Sequence, residues 1–253
     1  MRLLNRLRTG LCLVVALSVA LAVGAAAQTR ATPFKFEPLG VANPCFVDSV
    51  RFADEYLGGK RSEGKRWVRV LRWGTLDDDD SMGPGHAVAV FQWRGRLFAF
   101  DINHGVRELA VPVARREDLR EVSGAVLSMY PQFRAIGAVA LDDSWASHRP
   151  RLRGGDDGKV TPEYRDAYRV AKLLSKHREV RLVRFSHLEK GGRRDSAAAV
   201  FLFARQLCIY IPERGTMVLK LMLPSVDDDA EIRRRLVRCF GREAEVRLEV
   251  SAN

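Results

Sequence analysis

The chain of 253 residues predicts an α+β protein, and three features of its sequence carry that prediction. An apolar stripe at helical spacing (Phe46, Val50, Ala53, Leu57) precedes a series of short strand-like runs. Two of those runs, His86–Trp93 and Arg96–Asp101, are separated by Arg94-Gly95 alone, the spacing of a hairpin. After Thr161 a helical pattern is followed by four strand-like runs, one more helix and a last strand.

The first 27 residues read as a secretory leader. Arg2, Arg6 and Arg8 form a positive start, Leu11–Val23 is continuously apolar, and Ala25-Ala26-Ala27 supplies the small residues a signal peptidase reads. The apolar run is shorter than the roughly 20 residues of a membrane span. An uncleaved anchor is the alternative, and the only membrane attachment the sequence offers. The expected mature protein starts near Gln28 and is secreted or periplasmic.

In the body of the chain, Asn43 is placed to cap a helix with Pro44 at its first position, and Gly58-Gly59 ends it. Trp67–Trp73 reads as a strand, followed by the Arg94-Gly95 hairpin. A helix is expected over Arg115–Met129 with Leu119, Val122, Val126 and Met129 inward, stopped by Pro131, and then a strand over Phe133–Leu141. Residues 148–160 are rich in Arg, Gly and Asp without apolar periodicity and read as a linker. Residues 28–147 then form one domain and 161–253 a smaller α+β module.

That module opens on a helix capped by Thr161 and Pro162 that buries Tyr164, Ala167, Tyr168, Ala171 and Leu174. Strands follow at 179–188, 197–204, 207–211 and 216–223. A helix from Ser225 carries Asp227–Asp229 early and Arg233–Arg235 and Arg238 late, an order that suits the helix dipole, and a last strand covers Glu243–Val250.

The charge is uneven. The chain has 42 basic and 31 acidic residues, and losing the three leader arginines leaves a mature charge of +8. Residues 160–253 hold 19 of the basic and 13 of the acidic residues. Such an excess suits an acidic polymer or surface, or is simply a solvated arginine-rich face. No nucleic-acid motif or basic–aromatic alternation accompanies it. Asp77–Asp80 lacks the spacing of a calcium loop and reads as a solvated turn.

Three cysteines follow the leader: Cys45, Cys208 and Cys239. Cys208 and Cys239 are candidates for a disulfide or for two buried thiols. Cys45 stands two residues past Asn43, at a helix start, where unpaired N–H groups and the dipole favour an anion such as a thiolate. His86 follows Gly83-Pro84-Gly85 at a strand end. If Arg94-Gly95 makes a two-residue turn, paired residue numbers sum to 189. Asp101 then lies diagonal to His86 on the same face, within side-chain reach. A three-residue turn puts it on the other face. A nucleophile, a base and an orienting acid are what thiol catalysis needs. The same residues also fit separate structural roles, and with His104 a mixed metal site that lacks zinc-type spacing.

The run His86-Ala87-Val88-Ala89-Val90-Phe91 with Gly95-Arg96-Leu97-Phe98-Ala99-Phe100-Asp101, and Cys45 before it at a helix start, resembles the transglutaminase-like, broadly papain-like, cysteine hydrolases. The resemblance covers about residues 40–110. It implies a core in which a helix packs on an antiparallel sheet, with Cys45 as nucleophile, His86 as its base and Asp101 as orienter. Asn103 is the alternative orienter, and the second oxyanion donor is unassigned.

The function expected is that of an exported peptidase, amidase or acyl transferase needing no cofactor or metal. Its substrate would be an amide in a peptide, a protein or cell-wall material, with the basic module positioning substrate or partner. The alternative is a non-catalytic exported binding or scaffold protein built on the same core.

Overall fold

Arg94 and Gly95 set the register of the first hairpin. Both take positive φ, +47° and +72°, the combination a two-residue turn of the primed type requires. Trp93 pairs with Arg96, Val90 with Ala99 and Ala89 with Phe100. These are the pairs summing to 189 that place His86 and Asp101 on one face.

The computed structural model describes residues 36–58, 66–76, 82–130, 137–142, 151–154, 161–203, 206–219, 225–240 and 247–249. The expected leader with its cleavage site, the Asp77–Asp80 turn and the Pro131 helix stop lie outside them. The class is α+β. In chain order the elements are α1 (Cys45–Gly58), β1 (Val68–Leu76), β2 (Met82–Trp93), β3 (Arg96–Asp101), β4 (Gly105–Glu108), a single 3-10 turn (Val113–Arg115), α2 (Leu119–Leu127), β5 (Gly137–Asp142), β6 (Arg151–Arg153), α3 (Pro162–Leu174), β7 (Glu179–Glu189), β8 (Gly192–Phe203), β9 (Gln206–Ile211), β10 (Gly215–Leu219), α4 (Asp229–Phe240) and β11 (Arg247–Glu249).

Among the described residues, eleven strands join one sheet, whose main path runs β11-β7-β8-β9-β10-β2-β1-β5, with β3 and β4 branching from β2 and β6 lying beside β7. Among the described strands only the β6–β7 pair is parallel. Alternating side chains separate two buried faces. On one, α1 lays Phe52 and Tyr56 against Phe91 and Phe100, while Phe46 reaches Phe201 and Phe203 of β8. Helix α3 packs beside it on β7, β8 and β9. On the other face, α2 closes a cluster with Leu71, Val88, Val90, Leu97 and Ala99, and α4 closes one with Phe185, Val200, Ile209 and Met217.

The two halves expected from the composition break share this sheet, and Glu37–Asn253 is one compact unit. Within the stretch read as a linker, Arg151–Arg153 is a strand. Its guanidinium charge does not keep it in solvent, because Arg153 is paired with Glu179 and, at 2.7 Å, with Asp227. Two further differences have local causes. Helix α2 starts at Leu119 rather than Arg115 because the Asp118 carboxylate accepts from the Arg120 and Glu121 N–H groups, which leaves Leu119 39% exposed instead of inward. Helix α4 starts at Asp229 rather than beside Ser225; the Asp228 carboxylate accepts from Glu231 N–H.

The candidate disulfide does not form: Cys45, Cys208 and Cys239 are all free thiols. Leu207, Ile209 and Ile211 of β9 face α4, so the intervening Cys208 points to the opposite side of the sheet. There burial pushes its thiol up to about 12. Cys239 lies on α4 with its sulfur 3.3 Å from Met217 Sδ. The sheet itself separates the pair.

Asp54 of α1 and Arg178, just before β7, form an ion pair that is 8% and 1% exposed. The Arg178 guanidinium also lies 4.9 Å over the Phe203 ring. Removing one partner strands a desolvated charge, so Asp54→Ala is expected to destabilise the protein by about 3–5 kcal/mol in urea unfolding.

Candidate active site

Cys45 is the first residue of α1, one position nearer the helix end than the sequence suggests. The Pro44 carbonyl accepts the first helical bond, from Asp48 N–H at 2.8 Å, so Pro44 rather than Asn43 takes the cap position. Asn43 has φ +47° and turns its Nδ2 to donate to the Pro212 carbonyl at 2.7 Å. A first-position N–H has no acceptor inside its own helix, which leaves the Cys45 amide available to an oxyanion.

The segment leading into Cys45 is held from three sides. Leu39 N–H donates to Asp48 Oδ1 at 3.2 Å, and Ala42 N–H to Asp166 Oδ2 of α3 at 2.9 Å. The Tyr210 hydroxyl of β9 donates to the Ala42 carbonyl at 2.6 Å. Asp48 is fully buried, and burial pushes its carboxyl up to about 6 against the lowering influence of Leu39 N–H.

Helix α1 lies on one face of the sheet and His86 on the other, and the branching of the sheet brings them together. On the edge of β2 away from β1, β10 pairs at Met82 and β3 pairs from Ala89 onward. Between those junctions Cys45 meets the strand, its Sγ 3.8 Å from the Gly85 carbonyl oxygen. Gly85 is required here for its lack of a side chain. A Cβ would sit 1.9 Å from the Trp73 carbonyl oxygen.

His86 is 8% exposed. Its Nε2 lies 2.8 Å from Asp101 Oδ2, and the Cys45 side chain is the second neighbour that acts on the ring. With Nε2 committed to the carboxylate, Nδ1 is the ring nitrogen left for the sulfur. The ring stands edge-on to Trp73 at 5.0 Å and to Tyr130 at 5.4 Å between centroids. Burial is the largest single influence and disfavours the cation. Hydrogen bonding of the ring to Asp101 and to Cys45, and the charges of those two groups, together outweigh it, pushing the imidazole up to about 9.

Asp101 is 2% exposed. Burial raises its carboxyl, but bonds from His86, Tyr130 and the Asn103 N–H prevail and hold it down at about 2. Of the two candidate orienters it is Asp101 whose side chain reaches the histidine. Asn103 contributes its backbone N–H, which donates to Asp101 Oδ1 at 2.6 Å. His104 lies exposed at the rim of the cluster, its ring 5.7 Å from that of Tyr130.

Sequence reasoning did not single out Tyr130. It lies just beyond α2, is 2% exposed, and its hydroxyl donates to Asp101 Oδ2. A tyrosine immediately before Pro131, at the end of an apolar helical stripe, was the available signal: a buried phenol there needs an acceptor. Burial first and Asp101 second push its pKa far up, so the group stays a neutral donor.

Comparison of the chain with protein-family models, with curated proteins and with solved structures finds no match. Among the described residues no group of three or more His, Cys, Asp and Glu side chains is placed to hold a metal ion. No described helix is long and apolar enough to cross a membrane.

Gly85→Ala should drive the β2 backbone off β1 and cost about 1–3 kcal/mol, read as a lowered Tm. The His86–Asp101 pair makes stability depend on pH from both sides. The imidazole is raised above its ordinary 6.5, so its contribution is complete below that value and is lost as pH rises through about 9. The carboxyl is depressed below its ordinary 3.8, so its contribution is complete above that value and is lost as pH falls through about 2. Comparing unfolding of the protein with that of Asp101→Asn across pH 3–10 should show the largest difference between roughly pH 4 and 6.5.

Proposed function

We propose that this chain is an exported cysteine hydrolase that cleaves, or transfers the acyl group of, an amide bond in a peptide, a protein or cell-wall material. The observation that carries the reading is the buried His86, held by Asp101 through Nε2, with Cys45 at the first residue of a helix and its sulfur 3.8 Å from the carbonyl oxygen of Gly85, the residue before the histidine. A thiol next to an oriented imidazole is a nucleophile with its base. The arrangement supports the likeness to transglutaminase-like and papain-like enzymes on chemical grounds. Export rests on the leader pattern of residues 1–27.

In the first step the Cys45 sulfur, its proton passed to His86, attacks the amide carbonyl. The C=O π electrons move to oxygen, and the Cys45 backbone N–H, with the helix dipole behind it, faces the resulting oxyanion. Collapse re-forms the carbonyl and breaks the C–N bond, and the His86 imidazolium gives its proton to the departing amine. A thioester on Cys45 remains. Water, losing a proton to His86, attacks the thioester; collapse releases the acid and the sulfur, which recovers its proton partner. An amine in place of water makes the reaction a transfer. Throughout, Asp101 keeps the imidazole in one orientation and stabilises its cation.

The basic C-terminal half contributes to this reading mainly as scaffold. Arg153, Arg181 and Arg194 are already paired with carboxylates of the same half, while Asp166, Tyr210 and Pro212 hold the approach to Cys45.

The test is alkylation by iodoacetamide at pH 6, followed by peptide mass mapping. Cys45 is expected to react while the buried Cys208 does not, and His86→Ala should slow Cys45 on the order of tenfold or more. A Cys45 rate indifferent to His86 would remove the catalytic reading and favour a binding or scaffold protein.

A further inference from the structure

The Asp101 carboxylate serves three donors. Its Oδ1 accepts from Asn103 N–H, and its Oδ2 accepts from both His86 Nε2 and the Tyr130 hydroxyl. The second donor on Oδ2 is more than the orientation of His86 needs, since one bond from Asn103 N–H and one from His86 already fix the carboxylate plane. It comes from a different layer of the fold. Tyr130 is anchored by its own N–H to the Leu127 carbonyl at 2.9 Å and packs its ring 5.3 Å from that of Trp73.

We propose that Tyr130 is a positioning residue for the Cys45–His86 pair: by donating to the oxygen that binds His86, it limits how tightly Asp101 holds the imidazolium and so sets the upper pH limit of the pair. The proposal rests on the catalytic reading above and adds to it a residue and a function. A carboxylate oxygen that accepts an O–H bond has part of its charge neutralised and is a weaker acceptor for a second donor. A base held too firmly as its cation returns its proton to the leaving amine poorly, and general acid–base efficiency is greatest when the group titrates near the working pH. The phenol suits the task because burial and Asp101 keep it protonated, so its donation does not change over the range in which His86 titrates.

The charged and titratable groups around the imidazole come from every element packed on it. Asp101 belongs to β3, Cys45 to α1 and Tyr130 to the end of α2. His104 in the β3–β4 turn touches Tyr130, and Arg107 of β4 acts on the phenol electrostatically, opposing the rise caused by Asp101. Of these, among the described residues, Tyr130 alone donates to the carboxylate oxygen that also binds the histidine.

The experiment follows the His86 ring signals by NMR against pH in the full chain carrying labelled histidine, with the Cys45 alkylation rate measured in parallel. Tyr130→Phe is expected to raise the His86 midpoint by roughly 0.5–1 unit and to carry the alkaline limb of the alkylation profile with it. Placing 3-fluorotyrosine at position 130, a stronger donor, should lower both. A purely structural Tyr130 would lower Tm and leave both midpoints where they were, and that result overturns the proposal. So does a downward shift in Tyr130→Phe. Should Tyr130→Phe not fold, the fluorinated protein decides by its direction. Failure of the underlying catalytic reading looks different: the His86 midpoint is then indifferent to Cys45→Ala in the otherwise unaltered chain.

Discussion

The start of α1 is fixed by the far half of the chain, and the rest of the site depends on that constraint. Cys45 needs to lie opposite a gap in the sheet edge with its sulfur toward Gly85 and His86. Helix packing alone leaves a helix free to slide along its groove by a fraction of a turn. The bonds of Ala42 with Asp166 and Tyr210, and of Asn43 with Pro212, remove that freedom. The Asp54–Arg178 pair holds the second half of the same helix. These contacts bridge more than 100 residues of sequence. They explain why the C-terminal half is continuous with the N-terminal one rather than appended to it.

A second constraint is electrostatic. The interior holds several ionisable groups, among them Arg72, Arg178, Asp48, His86 and Asp101. Such groups are costly to desolvate and are weak evidence for stability in themselves. Their arrangement here is directional. Arg72 donates to the Thr216 carbonyl across the β10–β2 junction and lies 5.8 Å over Phe46, so it ties the strand path to α1 at the point where the sheet branches. Replacing such a group with a hydrophobe would keep the volume and lose the alignment.

Much of this was legible in the sequence, for identifiable reasons. Arg94-Gly95 between two alternating runs determines a register, and the register places Asp101 on the face of His86. The helix from Cys45 is legible from its apolar spacing, and α3 from Thr161-Pro162, whose hydroxyl accepts from Tyr164 N–H at 3.1 Å. The parts that were not legible depend on tertiary partners. Asn43 has the residue type of a cap, but Pro212 is a competing acceptor for its amide, and no local rule reveals it. Arg151–Arg153 has the composition of a linker and becomes a strand because Glu179 and Asp227 lie beside it. Cys208 and Cys239 are both apolar-run cysteines of one half, and only the parity of β9 shows that the sheet divides them. Tyr130 was hidden for the same reason as Pro212, since its acceptor lies 29 residues earlier in the chain.

The central claim is that Cys45 is a nucleophile activated by His86, and acyl transfer to its sulfur tests this most directly. Mixing the protein with an activated ester such as p-nitrophenyl acetate, and following both nitrophenolate release and intact mass, reports the first chemical step without knowledge of the natural substrate. The account predicts a rapid burst of about one equivalent, with a single acetyl group mapped to Cys45 and the burst abolished in His86→Ala. Acetyl groups scattered over lysines, with Cys45 unmodified and no burst, would contradict it.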